Sequence, residues 1–274
     1  MTYAIETTYE EFLKLEQEKY PELNLEDIEA LKELVDANKN LPPVKDKEIV
    51  MFLHSAFFDV KKAYKTLVAN YKYRSELTQI FSNTDPMSEE MKEVYETMSL
   101  SIVTVPYKGK HERYVYTQFK NEDPNVFNYV NSVKYFFMMM EVLIIQHGTF
   151  DGVILTMNGK GLNWRHLTKI PMKLAKNLMG FVQEALPVRL KEVHVINAGS
   201  ISTMLFNLMK PFMWGNFLDR VTLYSEGSDE FFNHVPVEFM PEEMGGRGKS
   251  HMTYSEDTYN HMCSYRDWYT TKNN

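Results

Sequence analysis

The sequence holds a single cysteine, Cys263, in 274 residues. No internal disulfide can form, so a disulfide-stapled secreted scaffold is excluded and a reducing compartment fits. Glycine (12) and proline (11) are sparse and unperiodic, which removes collagen-like and low-complexity architectures. Positive charge is in short supply. Thirty Lys and Arg face 37 Asp and Glu, for a net charge of -7, so the broad basic face that general nucleic-acid binding requires is missing. The N-terminal stretch "MTYAIETTYEEFLKLEQ" is acidic and has no apolar h-region, so it does not read as a secretory signal. No stretch approaches the roughly 20 continuous apolar residues that cross a bilayer. A cytosolic protein is expected.

What is plentiful is aromatic and thioether surface: 17 Phe, 17 Tyr and 18 Met. Methionine is flexible and polarizable, and lines adaptable apolar surfaces as well as ordinary cores. The first 97 residues read as helical. "NLEDIEALKELV" opens on a cap, Asn24, and puts Ile28, Leu31 and Val35 on one face. "DKEIVMFLHSAFF" resumes a helix, and "DVKKAYKTLVANYKYR" starts from a second cap, Asp59. From about residue 100 short β-branched runs alternate with longer helical ones. "SIVTV" and "RYVYTQF" flank the turn "KGKHE". "EDPNVFNYVNSVKYFFMMMEVLIIQ" predicts a helix capped by Asp123 with Pro124 at its first position. "GVILTM", "EVHVIN" and "RVTLYS" read as strands, with "HLTKIPMKLAKNLMGFVQEAL" as an amphipathic helix between the first two. Strand–helix–strand alternation implies parallel pairing and an α/β architecture. The expected division is a small helical bundle over residues 1–97 and an α/β domain over 98–274.

Motifs for covalent chemistry are weak. "GGRGKS" (245–250) ends like a phosphate loop, but the earlier glycine falls on Glu243, so a sharp turn is the better reading. "NAGSIS" lacks the paired glycines of a nucleophile elbow. The histidines show no metal-ligand spacing, and His194, inside a strand, reads as a hydrogen-bonded structural residue. No metal and no catalytic residue is expected.

The segment "STMLFNLMKPFMWGNF" (202–217) is apolar nearly all round, yet too short to span a membrane. On a helix, Ile201, Met204, Leu205, Leu208 and Phe212 share one stripe, and Phe206, Met213 and Phe217 an adjacent one. Pro211 should kink or end the helix. Two readings stay open from periodicity alone: a buried core helix that the proline ends, or a movable lid with apolar surroundings on both sides.

Five segments, in order, resemble one family. "EIVMFLHSAFFDVKKAYKTLVANYKYR" (48–74) is similar to an N-terminal helical module. "GLNWRHLTKIP" (161–171), "LPVRLKEVHVIN" (186–197), "NLMKPFMWGNFLDRV" (207–221) and "MPEEMGG" (240–246) follow at matching separations. Together they resemble the CRAL-TRIO (Sec14-like) lipid-binding family, in its tocopherol- and retinaldehyde-binding branch with its insect relatives. The resemblance implies a small helical bundle followed by a lipid-binding α/β domain, with a mostly parallel sheet flooring an apolar cavity and a mobile gate helix at 202–217.

On that resemblance the cavity would be lined by Phe136, Met139, Met140 and Leu143 of the central helix, and by Ile154, Thr156, Val193 and Val195 of the strands. The crossover helix would add Leu178, Phe181, Val182 and Leu186, and the gate Met204, Leu205, Leu208 and Phe212. Alternation leaves strand facing open by one residue. Arg189, Lys191 and Arg220 match positions of the branch's phosphoinositide patch, which is thinner here because two further basic positions carry Asn216 and Leu218. The implied activity is binding and intermembrane transfer of a small lipophile by a monomer that is cytoplasmic and transiently peripheral at membranes. It needs no cofactor beyond the bound ligand. A phosphoinositide-reading adaptor and an enzyme acting on a lipophilic substrate are the alternatives.

Overall fold

The computed structural model describes residues 7–104 and 111–272. Most of the expected "KGKHE" turn and the first residues of the N-terminal stretch lie outside them. The described chain forms two compact units.

The first unit contains the chain up to Thr78 together with Met140–Phe150 and Asn177–Arg189. Its helices are α1 (Tyr9–Lys19), α2 (Leu25–Asp36), α3 (Asp46–Ser55) and α4 (Val60–Glu76). The caps read from the sequence are in place. Asn24 accepts from the Asp27 amide at 2.8 Å, and Asp59 from the Lys62 amide at 2.9 Å, each satisfying an amide with no partner inside the helix. Phe12, Leu31, Leu53 and Leu67 are fully buried where these helices meet. The two later segments join through polar anchors. Asn70 donates to the Ala185 carbonyl at 2.8 Å, Tyr73 donates to Glu184 at 3.0 Å, and Arg74 pairs with Glu141. Glu16, fully buried, is held by Lys19 at 3.0 Å and by the Thr149 hydroxyl.

The second unit contains Gln79–Met139, Asp151–Lys176 and the chain from Leu190 on. Among the described residues it carries one five-stranded sheet in the order β1 (Met98–Thr104), β2 (Glu112–Phe119), β3 (Gly152–Asn158), β4 (Leu190–Ile196), β5 (Val221–Leu223). β1 and β2 run antiparallel; the other three pairings are parallel, as the alternation of elements implies. The remaining helices of the chain are α5 (Thr78–Phe81), α6 (Glu89–Thr97), α7 (Tyr129–His147), α8 (Trp164–Leu167), α9 (Met172–Glu184), α10 (Ser200–Met209), α11 (His251–Ser264) and α12 (Arg266–Lys272); α7 and α9 are divided between the two units at Met140 and Asn177.

Two boundaries differ from expectation. Asp123 and Pro124 do not open α7. The Asp123 carboxylate accepts from the Asn125 amide at 2.9 Å and closes an Asx-type turn instead. Asn128 accepts from the Asn131 amide at 3.2 Å and starts the helix at Tyr129. The amphipathic run after "GLNWR" is split, because Pro171 precedes α9 and separates it from the single turn of α8.

Candidate functional site

Strand register fixes what each face of the sheet presents. Ile154 pairs with Glu192 and Thr156 with His194, while Leu155 pairs with Val193 and Met157 with Val195. One face therefore carries Tyr114, Tyr116, Ile154 and Ile196, which are buried in a cluster with Tyr224, Phe231, Val235, Met240 and Met244 from the C-terminal segment. The opposite face carries Leu155, Met157, Val193 and Val195. This corrects the expected grouping: Ile154 and Thr156 cannot share a wall with Val193 and Val195. "GVILTM" is apolar on both faces, so its composition gave no alternation from which to choose. Leu155, Met157 and Val195 are only half-buried, although β3 and β4 are inner strands.

The apolar helix sits where the sequence puts it. α10 runs from Ser200 to Met209, and a 3-10 turn over Lys210–Phe212 follows. The change occurs because Pro211 has no amide hydrogen for an α-helical bond. Ser202 is buried, close to Gly159: a side chain at that glycine would meet the Ser202 hydroxyl at 2.6 Å. Ile201, Leu205, Phe206, Met209, Phe212 and Met213 are half-buried. The exposed side holds Met204 (55% exposed), Leu208 (42%) and, beyond the proline, Trp214 (47%). Two apolar faces are present, but Met204 and Leu208 lie on the outer one.

Of the remaining expected lining residues, Met139, Met140, Leu143, Leu178 and Phe181 are buried, and Phe136, Val182 and Leu186 half-buried. Met140, Leu143, Leu178, Phe181, Val182 and Leu186 fall in the first unit and the others in the second. Phe181 meets the Tyr73 ring edge-on at 6.2 Å.

The three basic residues are engaged with the protein itself. Arg189 donates from Nε to the His54 carbonyl at 2.8 Å, and its guanidinium lies 4.1 Å from the centre of the Phe57 ring. Lys191 occupies a bulge: Val153 pairs with Leu190 and Ile154 with Glu192, which leaves Lys191 as the extra residue. Its chain passes over Gly152, where a Cβ would come within 2.7 Å, and its ammonium reaches buried Glu112 at 2.7 Å. Arg220 donates to the Leu190 carbonyl.

The motif residues around the sheet have structural roles. His166 is fully buried, accepts from the Asn163 amide at Nδ1 (3.2 Å), and packs on Phe119 with ring centres 4.6 Å apart. Burial pushes its imidazole below the usual value of 6.5. Asn158 donates to Gln118 at 3.0 Å and accepts from Asn197 at 3.0 Å. One cluster was missed by sequence spacing: Glu192, His194 and His234 bring one ligand atom each to within 4.8 Å of one another. Among the described residues no helix is long and apolar enough to cross a membrane.

Comparison with known proteins agrees with this architecture. The CRAL/TRIO domain family matches residues 99–246, more than half of the chain, and the Pinta-like UBA domain matches residues 20–91. The chain is 26% identical over 243 residues to the human (Homo sapiens) α-tocopherol transfer protein-like protein, covering 84% of this chain and 67% of that one. It is 21% identical over 237 residues to mouse (Mus musculus) Clavesin-1, covering 85% and 66%. The crystal structure of Sfh5 has the same fold, with a TM-score of 0.55 at 15% identity over 84% of this chain and 91% of that one. With helices before a mostly parallel sheet, and a family match across that sheet and the apolar helix that follows β4, the chain belongs to the CRAL/TRIO family.

Proposed function

We propose that this protein binds a small lipophile against the Leu155–Met157–Val195 face of its sheet and carries it between membranes, with α10 as the gate. The observation that carries this reading is the incomplete burial of those three residues on inner strands. In a solid core, apolar side chains at such positions close against their cover. Accessible apolar surface there fits a hollow. The other face is covered by the C-terminal segment in a cluster that includes no residue of α10, and this reading puts α10 over the opposite face. The inner wall is then Leu155, Met157, Val193 and Val195, roofed by Leu205, Phe206, Met209 and Phe212.

A lipophile that buries about 400 Å² gains on the order of 10 kcal/mol, before the costs of immobilisation and gate ordering. A bilayer solvates the same molecule nearly as well, so capture and release depend on the gate rather than on affinity alone. Met204, Leu208 and Trp214 give α10 an apolar outer face. At a membrane that face is buried whether the gate is open or shut. In water, opening exposes the inner face as well, so the closed state is favoured. The names of the relatives make a tocopherol-like lipid the first ligand to try.

Membrane contact is assigned here to that outer face. Phosphoinositide recognition by Arg189, Lys191 and Arg220 draws less support, because each cation is already engaged by a carbonyl or a carboxylate. The reaction is physical transfer, with no bond made or broken. The test is transfer of α-tocopherol from donor to acceptor liposomes by the full chain, with and without phosphoinositide in the acceptor. Transfer in both mixtures supports the reading. Uptake of phosphoinositide alone supports the adaptor alternative, and turnover of the lipid supports the enzyme alternative.

A further inference from the structure

On the sheet face opposite the lipid wall, three side chains converge that no motif spacing connects. Glu192 and His194 alternate along β4, and His234 comes from a turn forty residues later. Glu192 Oε2 lies 2.9 Å from His194 Nε2 and 3.4 Å from His234 Nδ1. Two ligands about 2.1 Å from one ion at a tetrahedral angle would stand roughly 3.4 Å apart, so the observed separations are near those of a coordination shell.

His194 is prepared as a ligand. The side chain is almost entirely buried, 2% exposed, and the Tyr224 hydroxyl sits 3.1 Å from its Nδ1. In the tautomer in which Nδ1–H donates to the Tyr224 hydroxyl oxygen, Nε2 presents its lone pair to the cluster, and the second nitrogen is oriented by an outer partner as ligating histidines are. Nε2 makes no hydrogen bond in the structure; its near neighbour is the Glu192 carboxylate at 2.9 Å. The Phe231 ring, 5.3 Å away and edge-on, closes one side. Glu192 and His234 are about half exposed, so an ion has a route in and a fourth position stays open to water.

We propose that Glu192, His194 and His234 form a binding site for one divalent transition-metal ion, zinc being the ion that a two-histidine, one-carboxylate set suits. The bound ion ties the turn holding His234 to β4, the strand whose opposite face carries Val193 and Val195.

The experiment is titration of the tag-free, chelator-treated full chain with Co²⁺, followed by visible absorption, and with Zn²⁺, followed by thermal melting. His234→Ala is the main variant, because its side chain is exposed and not part of the core; Glu192→Gln is the second, and His261→Ala the control. The proposal predicts one equivalent of Co²⁺ with the intense bands of a low-coordinate site. It also predicts a melting temperature that Zn²⁺ raises, and affinity at least about tenfold weaker in both ligand variants but unchanged in His261→Ala. Equal affinity in the wild type and His234→Ala, or no bound cobalt at all, overturns it. Lipid uptake does not enter these readouts, so this proposal and the transfer reading fail separately.

Discussion

Met157 and Val195 stand opposite each other in the parallel register of β3 and β4, side by side on the face opposite the cluster that the C-terminal segment joins. Their neighbours in sequence, Thr156 and His194, are paired on the other face and are buried. One strand pair thus serves two environments. A large side chain at Met157 should occupy the hollow, whereas a truncation at Ile154 should open a cavity in a packed cluster. We expect Met157→Trp to keep its melting temperature within about 2 °C and to lose tocopherol uptake at least tenfold. Ile154→Ala should cost about 3 kcal/mol by urea unfolding. A Met157→Trp protein that binds as the wild type does would place the ligand elsewhere.

The outer face of α10 gives a second prediction. Met204 and Leu208 are exposed, so replacing both with Gln removes little from the fold. Each buries about 1 kcal/mol of apolar surface in the headgroup region when only partly inserted. Vesicle binding of the double variant should therefore weaken by roughly thirtyfold, about 2 kcal/mol, with an unchanged melting curve. Liposome co-sedimentation beside thermal melting checks both halves.

Arg189 should behave as a structural residue. It donates to the His54 carbonyl and stacks on Phe57, next to Phe58; both phenylalanines hold positive φ, 58° and 63°, a conformation that bulky side chains adopt only when their surroundings impose it. Lysine cannot reproduce a planar guanidinium that stacks and donates at once. Arg189→Lys should destabilise the protein by about 1.5 kcal/mol in urea while phosphoinositide liposome binding is unchanged. Lost liposome binding with intact stability would revive the headgroup role.

Acid sensitivity follows from buried His166 and half-buried His251 and His261. Burial lowers the pKa of His166, His251 and His261 below 6.5. The unfolded chain therefore takes up protons first as the pH falls. Stability from these groups is complete above pH 6.5 and is lost as the pH drops from there through their lower folded values. The urea midpoint should fall between pH 7.5 and 5.5, and by less in His166→Asn. An equal fall in the two proteins would remove His166 from this account.

Much of the fold could be read from the residues because local rules carried it. Asn24 and Asp59 cap the helices that their side chains announce, and Pro211 ends α10 where it lacks an amide. Asp123 misled because aspartate before proline serves a turn as readily as a helix start: it accepts from the Asn125 amide in a turn, while Asn128 accepts from the Asn131 amide at the start of α7. Ile154 and Thr156 face away from Val193 and Val195, and this was not legible because an inner parallel strand is apolar on both faces. Which face the C-terminal segment covers is something sequence periodicity in β3 cannot report. His234 joins His194 only through folding, so no spacing within β4 could reveal the pair. The basic trio was chosen by position, while its partners, His54, Glu112 and the Leu190 carbonyl, are set by tertiary structure.

The most direct test is native mass spectrometry of the full chain after incubation with tocopherol-containing liposomes, alongside Met157→Trp. The account predicts one lipophile bound per chain in the wild type and none in the variant. Bare protein in both samples, or the same adduct in both, would contradict it.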